Sequence, residues 1–305
     1  MRRVCSSTLA GLGAMLAMVP AATAAAPAAA PVRAVDAPTR TVRVAGGPEL
    51  AYRAFGSGPP VVLIQGLSGS MDGWDPAFLD ALASRGHRVV VFDNAGVGRS
   101  GIDPGTLSIR SMGDDTAALV RALKLRRPDV VGWSMGGMVA QSLAVRHPGA
   151  VRRLVLLATA PGDGSAVPPL PDALALLTGP ANPGALLGFL FPPGQEAARD
   201  RYIRDITARK GFVGIAPPAV TARQLTAAAA WTGGKDGDGA RVRRLRLPVL
   251  VGGGGQDHLL PVGNQRRLAR IIPGARLVVY GDAGHGFFLQ HAGAFGTRLA
   301  RFLRG

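Results

Sequence analysis

From Thr41 onwards, the chain alternates between short runs of apolar, β-branched residues and longer segments that mix apolar and polar positions. The later runs are almost continuous Val, Ile and Leu, which is typical of strands buried on both faces. Strands are predicted at Thr41–Val44, Leu50–Phe55, Val61–Gln65, Arg88–Asp93, Asp129–Trp133, Arg153–Ala158, Leu247–Gly252 and Ala275–Tyr280. The pattern predicts a doubly wound, mostly parallel, eight-stranded α/β sheet. The first two runs predict an antiparallel edge hairpin.

Helical segments separate most of these strands. Pro76–Arg85 is one of them, and a second runs from about Ser108 to Lys124. Ser108 or Ser111 is a candidate N-cap for this second helix, because a serine hydroxyl can accept an unpaired backbone N–H. Further helices are predicted to begin at Ser134, at about Val262 and at about Phe287.

The alternation stops between residues 161 and 239. This stretch has three Pro-Pro pairs, short helical patterns and no convincing buried strand. A long excursion between two core strands is more often functional than merely structural. We therefore expect residues 161–239 to form a cap insertion, within a core made of residues 41–160 and 240–305.

The N-terminus is typical of an export signal. Arg2 and Arg3 precede an apolar stretch at Leu9–Val19, and Ala22-Thr23-Ala24 has the small-residue pattern of a cleavage site. The apolar stretch is too short for a membrane anchor, which needs about 20 residues. We expect a signal peptide at residues 1–24, a flexible Ala/Pro leader at 25–40, and a secreted or cell-envelope protein without stable membrane insertion.

Charge and cysteine content narrow the chemistry. Cys5 is the single cysteine and lies in the signal, so the mature chain would have no disulfide or thiol nucleophile. The formal charge is +16, carried mostly by scattered arginines, with one run at Arg241–Arg246. Because no recognition motif accompanies this charge, we expect a solvated basic surface and no nucleic-acid partner. The alternative is an anion-binding patch at the run.

The strongest chemical signal is Gly132-Trp133-Ser134-Met135-Gly136, which fits G-x-S-x-G. A buried strand precedes it and a helix follows it. At such a turn a serine adopts a strained backbone that directs its hydroxyl away from the sheet, and small neighbours let strand and helix approach closely. Ser134 is therefore the predicted nucleophile.

A serine nucleophile needs a base, which an acid orients. His285 follows the last predicted strand, at the same sheet edge as Ser134, and is the best base among the five histidines. Asp257 follows the preceding strand and is the preferred acid, with Asp163 as the alternative. Asp282 is expected to shape its loop. The order Ser134, Asp257, His285 is the one that this kind of sheet uses.

The segments that carry this chemistry resemble the α/β-hydrolase superfamily, in the branch of small serine esterases, lactonases and cofactor-free perhydrolases. The resemblance rests on Val61–Gly66, Phe92–Ser100, Gly132–Gly137, Gly255–Pro261 and Asp282–Phe287, and covers residues 41–305. It disfavours relatives with an aspartate nucleophile. It implies that the backbone N–H groups of Leu67 and Met135 form the oxyanion hole. One departure is Gln65-Gly66, where the family commonly has His-Gly.

No cofactor or metal is expected. Gly96–Gly101 matches G-x-G-x-x-G, but it does not open a helix, so nucleotide binding is not expected. The histidines lack metal-ligand spacing.

Three functions remain open. The first is two-step hydrolysis of a small or medium apolar ester or lactone, a small-molecule substrate, through an acyl-enzyme on Ser134. The second keeps the triad but performs perhydrolysis, thioester hydrolysis or carbon–carbon hydrolysis, since the fold hosts all of these. The third is a non-catalytic ligand-binding protein.

Overall fold

The computed structural model describes Met1 and residues 33–103, 105, 107–179 and 182–305. Its sheet has eight strands in the order β1-β2-β4-β3-β5-β6-β7-β8. The strands are β1 Arg40–Arg43, β2 Glu49–Phe55, β3 Pro60–Ile64, β4 Arg88–Phe92, β5 Asp129–Trp133, β6 Leu154–Leu157, β7 Val249–Gly254 and β8 Arg276–Tyr280. β1 and β2 are antiparallel to their neighbours, while the strands from β3 to β8 pair in parallel. The predicted sheet and edge hairpin are confirmed.

Helices cover both faces of the sheet, which is the doubly wound arrangement. They are α1 Pro76–Ala83, α2 Ile109–Ala122, α3 Met135–Arg146, α4 Pro171–Thr178, α5 Pro183–Leu190, α6 Glu196–Thr207, α7 Pro218–Thr232, α8 Gly263–Ile271, α9 Phe287–Gln290 and α10 Ala292–Arg304. One core contains apolar residues of α2, α3 and α8, and the other contains those of α1 and α10. All five residues of β5 are buried, so this strand lies between the two cores.

The stretch between β6 and β7 contains α4 to α7. Two of these helices have 8 residues, but α6 has 12 and α7 has 15, so its helices are longer than the sequence indicated. Tertiary packing explains the difference. α7 buries Val220, Ala227 and Trp231 against the core and gains stability that its Ala- and Thr-rich sequence does not indicate. We call residues 161–239 the cap.

The described part of the leader is ordered, which differs from the flexible segment expected at 25–40. Ala34–Asp36 form a 3-10 turn, and Ala34 and Ala37 are buried against the core. Arg209 of the cap donates to the carbonyl of Ala37 at 2.8 Å. The chain therefore already packs against the core before β1 begins. The predicted signal peptide, residues 1–24, lies outside the described part of the chain apart from Met1.

Within the described residues, no helix combines the length and the apolar character that crossing a membrane requires.

Candidate active site

Ser134 lies at the turn between β5 and α3. Its φ of 57° and ψ of −125° place a non-glycine residue in a conformation that is rarely adopted without support. The support is a backbone frame, in which the Ser134 N–H donates to Leu157 at 2.8 Å and its carbonyl accepts from Gly137 at 2.9 Å. A Cβ on Gly136 would collide with the carbonyl oxygens of Ile64 and Gln65. The turn thus requires glycine where α3 crosses the end of β3.

His285 and Asp257 are joined directly. Nδ1 of His285 lies 2.8 Å from Oδ2 of Asp257, and the two side chains are almost entirely buried. The other carboxylate oxygen of Asp257 accepts the Leu260 N–H at 2.9 Å. Both oxygens are therefore held, and the carboxylate is fixed against the imidazole. The predicted acid and base come together although 28 residues separate them.

Trp133 connects this pair to the serine turn. Its indole N–H donates to the carbonyl of His285 at 3.2 Å, and the two rings have centroids 5.8 Å apart. Phe288 packs edge-on against the same indole, with centroids 5.2 Å apart. The neighbour of Ser134 thus contacts the histidine loop. Among the described residues, Ser134 Oγ itself makes no hydrogen bond to His285.

The alternative acid and three of the four other histidines are paired with other side chains. Asp163 accepts from Ser165 and Arg267 and makes no hydrogen bond to a histidine in the described part of the chain. Asp282 pairs with His291 at 3.0 Å, which fits its predicted role in shaping a loop. The remaining pairs are His147 with Asp114 and His258 with Asp172. His87 is buried at the amino end of β4, and this burial lowers the pKa of its imidazole.

The two predicted oxyanion donors lie on segments that touch. A Cβ on Gly66 would be 3.0 Å from Cβ of Ser134, so the loop after β3 passes beside the serine. Leu67 is the next residue of that loop, and Met135 is the first residue of α3. Within the described residues, neither the Leu67 N–H nor the Met135 N–H donates to a protein acceptor. Both donors are available to a bound oxygen.

Gln65 organises this loop from within. Its side-chain Oε1 accepts the Gly66 N–H at 2.9 Å, and the residue is buried. A Cβ on Gly69 would lie 2.6 Å from Cγ of Gln65, so the loop closes tightly over this side chain. Gln65 therefore supplies a local acceptor in place of the common histidine.

The cap anchors both the loop after β3 and the loop that carries His285, and no sequence pattern predicted these contacts. Oε1 of Gln224 in α7 accepts the N–H of Ser68 at 2.7 Å, and the Ser68 carbonyl accepts from Ala216 at 2.7 Å. On the other side, the carbonyls at the end of α5 accept the N–H groups of His285 and Gly286 at 3.0 and 3.1 Å. One buried glutamine in an Ala- and Thr-rich helix carries no sequence signal for this role.

We call residues 65–70, which carry the predicted oxyanion donor Leu67, the oxyanion loop, and two buried aspartates brace its base. Asp93 accepts the N–H groups of Met71 and Arg99, while burial raises the pKa of its carboxyl group. Burial also acts to raise the pKa of Asp72, but the Val213 N–H and the neighbouring guanidinium groups outweigh it and hold that pKa below its ordinary value. Asp72 is thus a buried anion surrounded by cations.

Among the described residues, no cluster of three His, Cys, Asp or Glu side chains is arranged to hold a metal ion. The Gly96–Gly101 segment is a loop, and the next helix begins only at Ile109.

A doubly wound sheet with a serine turn and a His–Asp pair at its carboxyl edge defines a hydrolase scaffold. The family model described as the alpha/beta hydrolase fold matches residues 59–292, and the chain belongs to this family. It is therefore an α/β-fold hydrolase, as the sequence predicted.

Relatives extend over most of the chain. A Caulobacter sp. (strain K31) protein that carries the name of a carbamate hydrolase, RutD, is 34% identical and aligns with 80% of this chain and 90% of its own length. An α/β hydrolase fold protein from Chitinophaga pinensis superposes with a TM-score of 0.76 at 27% identity, covering 88% of this chain and 98% of that one. The enol-lactonase of Burkholderia xenovorans LB400 has a TM-score of 0.67 at 26% identity, covering 87% and 100%.

Proposed function

We propose that this protein is an exported serine hydrolase that cleaves small or medium apolar esters or lactones through an acyl-enzyme on Ser134. The observation that carries the proposal is the buried His285–Asp257 pair, which Trp133 links to the strained Ser134 turn. With Nδ1–H donated to Asp257, Nε2 is free to accept the serine proton. Catalytic hydrogen bonds are often long without substrate, so the contact from Ser134 Oγ to Nε2 is expected to tighten on binding.

The reaction follows from these positions. Ser134 Oγ attacks the carbonyl carbon as its proton passes to His285, and the carbonyl oxygen becomes an oxyanion that the N–H groups of Leu67 and Met135 bind. Each such donor contributes about 3 kcal/mol to the transition state. His285 then protonates the leaving alcohol. A water molecule then attacks the acyl-enzyme as His285 takes its proton. The acid is released as the bond to Ser134 Oγ breaks and His285 returns the proton to that oxygen.

Apolar side chains on the cap favour an apolar substrate. Leu170, Leu174 and Ile215 are unusually exposed for their type. Leu170 donates its N–H to the carbonyl of His258, next to Asp257, and Ile215 bridges to Gly69 of the oxyanion loop. Leu170 and Ile215 therefore lie on the two sides of the site. The lactonase name of one structural relative agrees with the lactone part of the proposal.

Labelling with a fluorophosphonate probe tests the nucleophile. We expect the wild-type protein and a Ser84→Ala control to be labelled, because Ser84 is exposed at the end of α1. Ser134→Ala should not be labelled and should lose at least about a thousandfold of the esterase rate. Equal labelling of Ser134→Ala would refute the assignment. Tight ligand binding without turnover by the wild type would instead indicate a binding protein.

Substrate class is tested on the same sample. We expect higher kcat/KM for p-nitrophenyl esters or lactones than for acyl thioesters, with no requirement for peroxide. Export is tested separately by mass spectrometry of the protein from culture medium and cell envelope, where the expected mature N-terminus lies near Ala25.

A further inference from the structure

A surface groove lies at the edge of the sheet opposite Ser134. Its volume is about 330 Å³, which is at the small end of the range of about 300–1,000 Å³ for small-molecule pockets. Arg127 enters it from the loop before β5, Pro148 from the segment before β6, and Arg244 from the segment before β7. Because these three strands are parallel, their amino ends share one edge. The groove is therefore separate from the hydrolase site.

Four arginines line this groove. They are Arg127, Arg241, Arg244 and Arg246. Among the described residues, no carboxylate lies within 4.0 Å of the guanidinium groups of Arg127, Arg244 or Arg246. Arg241 contacts Asp238 at 3.4 Å, but that buried carboxylate also lies within 4.0 Å of two other arginines, Arg110 and Arg146. The positive charge of the groove is thus largely uncompensated.

The rest of the groove's lining is apolar. Val145, at the end of α3, and the leucines Leu245 and Leu247 contribute to it. An apolar surface of low dielectric constant strengthens the electric field of the nearby charges. Positive charges held close together repel one another, so binding an anion between them is strongly favourable. A guanidinium group binds two oxygens of a phosphate through parallel hydrogen bonds. The groove therefore combines cationic walls for a phosphoryl group with an apolar surface for the group that carries it.

The arginines come from two separate chain segments. Arg127 has a left-handed backbone, with φ of 44°, which non-glycine residues seldom adopt. Arg241, Arg244 and Arg246 come from the segment before β7, more than 100 residues later. A run of arginines on one exposed helix would present its charges to solvent in different directions. Here the fold instead gathers charges from both segments around one concave surface.

We propose that this groove is a binding site for a phosphoryl group attached to an apolar carrier, held by Arg127, Arg244 and Arg246. The ligand is a phosphate monoester or diester, and both a lipid headgroup and a soluble phosphorylated metabolite have this chemistry. The site works independently of the hydrolysis at the opposite edge of the sheet.

Isothermal titration of the full-length protein with pyrophosphate tests the site. We expect saturable binding by the wild type that weakens by about tenfold or more in Arg244→Gln/Arg246→Gln, since each loses charge-assisted hydrogen bonds. Arg127→Gln, from the other segment, should also weaken binding. The control is Arg40→Gln/Arg43→Gln, which removes the same charge from the exposed edge strand β1 and should bind like the wild type.

Co-sedimentation with vesicles identifies the source of the phosphoryl group. If vesicles of phosphatidylglycerol and phosphatidylcholine bind the wild type and pyrophosphate competes with them, the ligand is a lipid headgroup. If pyrophosphate binds and vesicles do not, it is a soluble phosphate ester. Ester hydrolysis and the unfolding temperature should be unchanged in the arginine variants. Absent pyrophosphate binding, or equal weakening in the Arg40/Arg43 control, would overturn the proposal.

Discussion

At the scale of single residues, the folded geometry determines which aspartate contacts His285. Asp257 and Asp163 both follow core strands, so either one is a reasonable partner for a histidine from sequence alone. In the folded protein Asp257 contacts His285, while Asp163 is bound by Ser165 and Arg267. Strand order explains the difference, because β7 lies directly beside β8, whereas β6 is one strand further away.

Substitution of each acid should separate these roles. Asp257→Asn keeps the side-chain shape but no longer stabilises the imidazolium or fixes its tautomer, so we expect kcat to fall by about 10³–10⁴. Asp163→Asn should retain kcat within about threefold, since it loses only two ion pairs, to the exposed guanidinium groups of Arg243 and Arg267. Steady-state kinetics on a p-nitrophenyl ester measure both effects. A comparable loss in the two variants would contradict the assignment of Asp257.

Gln65 shows how one side chain can replace the residue that the family commonly uses. Its Oε1 satisfies the buried Gly66 N–H, and the next residue, Leu67, has its N–H available. The substitution is therefore compatible with an ordered oxyanion loop. What matters at this position is an acceptor within the loop.

Removing that acceptor should weaken both the loop and catalysis. Gln65→Met has nearly the same shape but leaves a buried N–H unpaired, which costs about 1–3 kcal/mol of unfolding free energy. We expect kcat to fall by about tenfold or more, because a displaced donor stabilises the oxyanion less. Gln195→Met is the control, as the Gln195 side chain makes no hydrogen bond among the described residues. Denaturant unfolding and kinetics give the two readouts; an unchanged kcat in Gln65→Met would argue against this role.

At the scale of elements, the segment from β5 through the Ser134 turn to α3 folds only because the backbone of α3 can lie very close to the end of β3. β5 is buried along its whole length, and α3 buries most of its residues against the sheet. The sequence predicted these elements well, because a continuous apolar run and an adjacent glycine-rich turn are local signals. The cap helices were predicted less well, since their stability comes from contacts with the core.

Alanine substitutions at two glycines test this close approach of α3 to β3. In Gly136→Ala the new methyl group meets the backbone carbonyls of Ile64 and Gln65, so we expect a loss of about 3 kcal/mol of stability and a lower kcat. Gly149→Ala is the matched control, because a Cβ there has no neighbour within 4 Å. Its stability should stay within about 0.5 kcal/mol of wild type. Thermal and denaturant unfolding measure both, and equal stability of the two variants would contradict the account.

At the scale of the whole molecule, Asp72 connects the core, the cap and the leader. Its carboxylate contacts Arg53 of β2, Arg99 at 3.0 Å, and the Val213 N–H of the cap at 2.9 Å. Arg209 lies 3.7 Å from the same carboxylate and also donates to the leader. One buried anion thus balances three cations from different parts of the chain.

Asp72→Ala should therefore be costly. It leaves three guanidinium groups without their counterion, so we expect a loss of about 3–5 kcal/mol of unfolding free energy. Asp200→Ala is the control, because its pair with Arg199 is largely exposed and should contribute less than about 1 kcal/mol. Urea unfolding at neutral pH measures the difference. Equal effects of the two substitutions would show that the buried cluster is not a stabilising connection.

The pH dependence has a defined sign. Because the folded-state pKa of Asp72 is below its unfolded value, its stabilisation is present above the unfolded pKa of about 3.9 and is lost as the pH falls through the folded pKa. We expect wild-type stability to decline below about pH 4 more steeply than that of Asp72→Asn, which cannot titrate there. Acid unfolding monitored by circular dichroism tests this.

The sequence by itself determined the strands, their alternation with helices, and the Ser134 turn. These features depend on neighbouring residues, through β-branched runs that favour extended backbone and glycines that permit a tight turn. Tertiary structure decided which acid meets His285, how the cap anchors the loop after β3 and the loop of His285, that residues 34–37 dock on the core, and that Arg127 lies beside the Arg241–Arg246 run. Each of these joins side chains that lie far apart in the chain, and their proximity depends on strand order and packing, which no local pattern encodes.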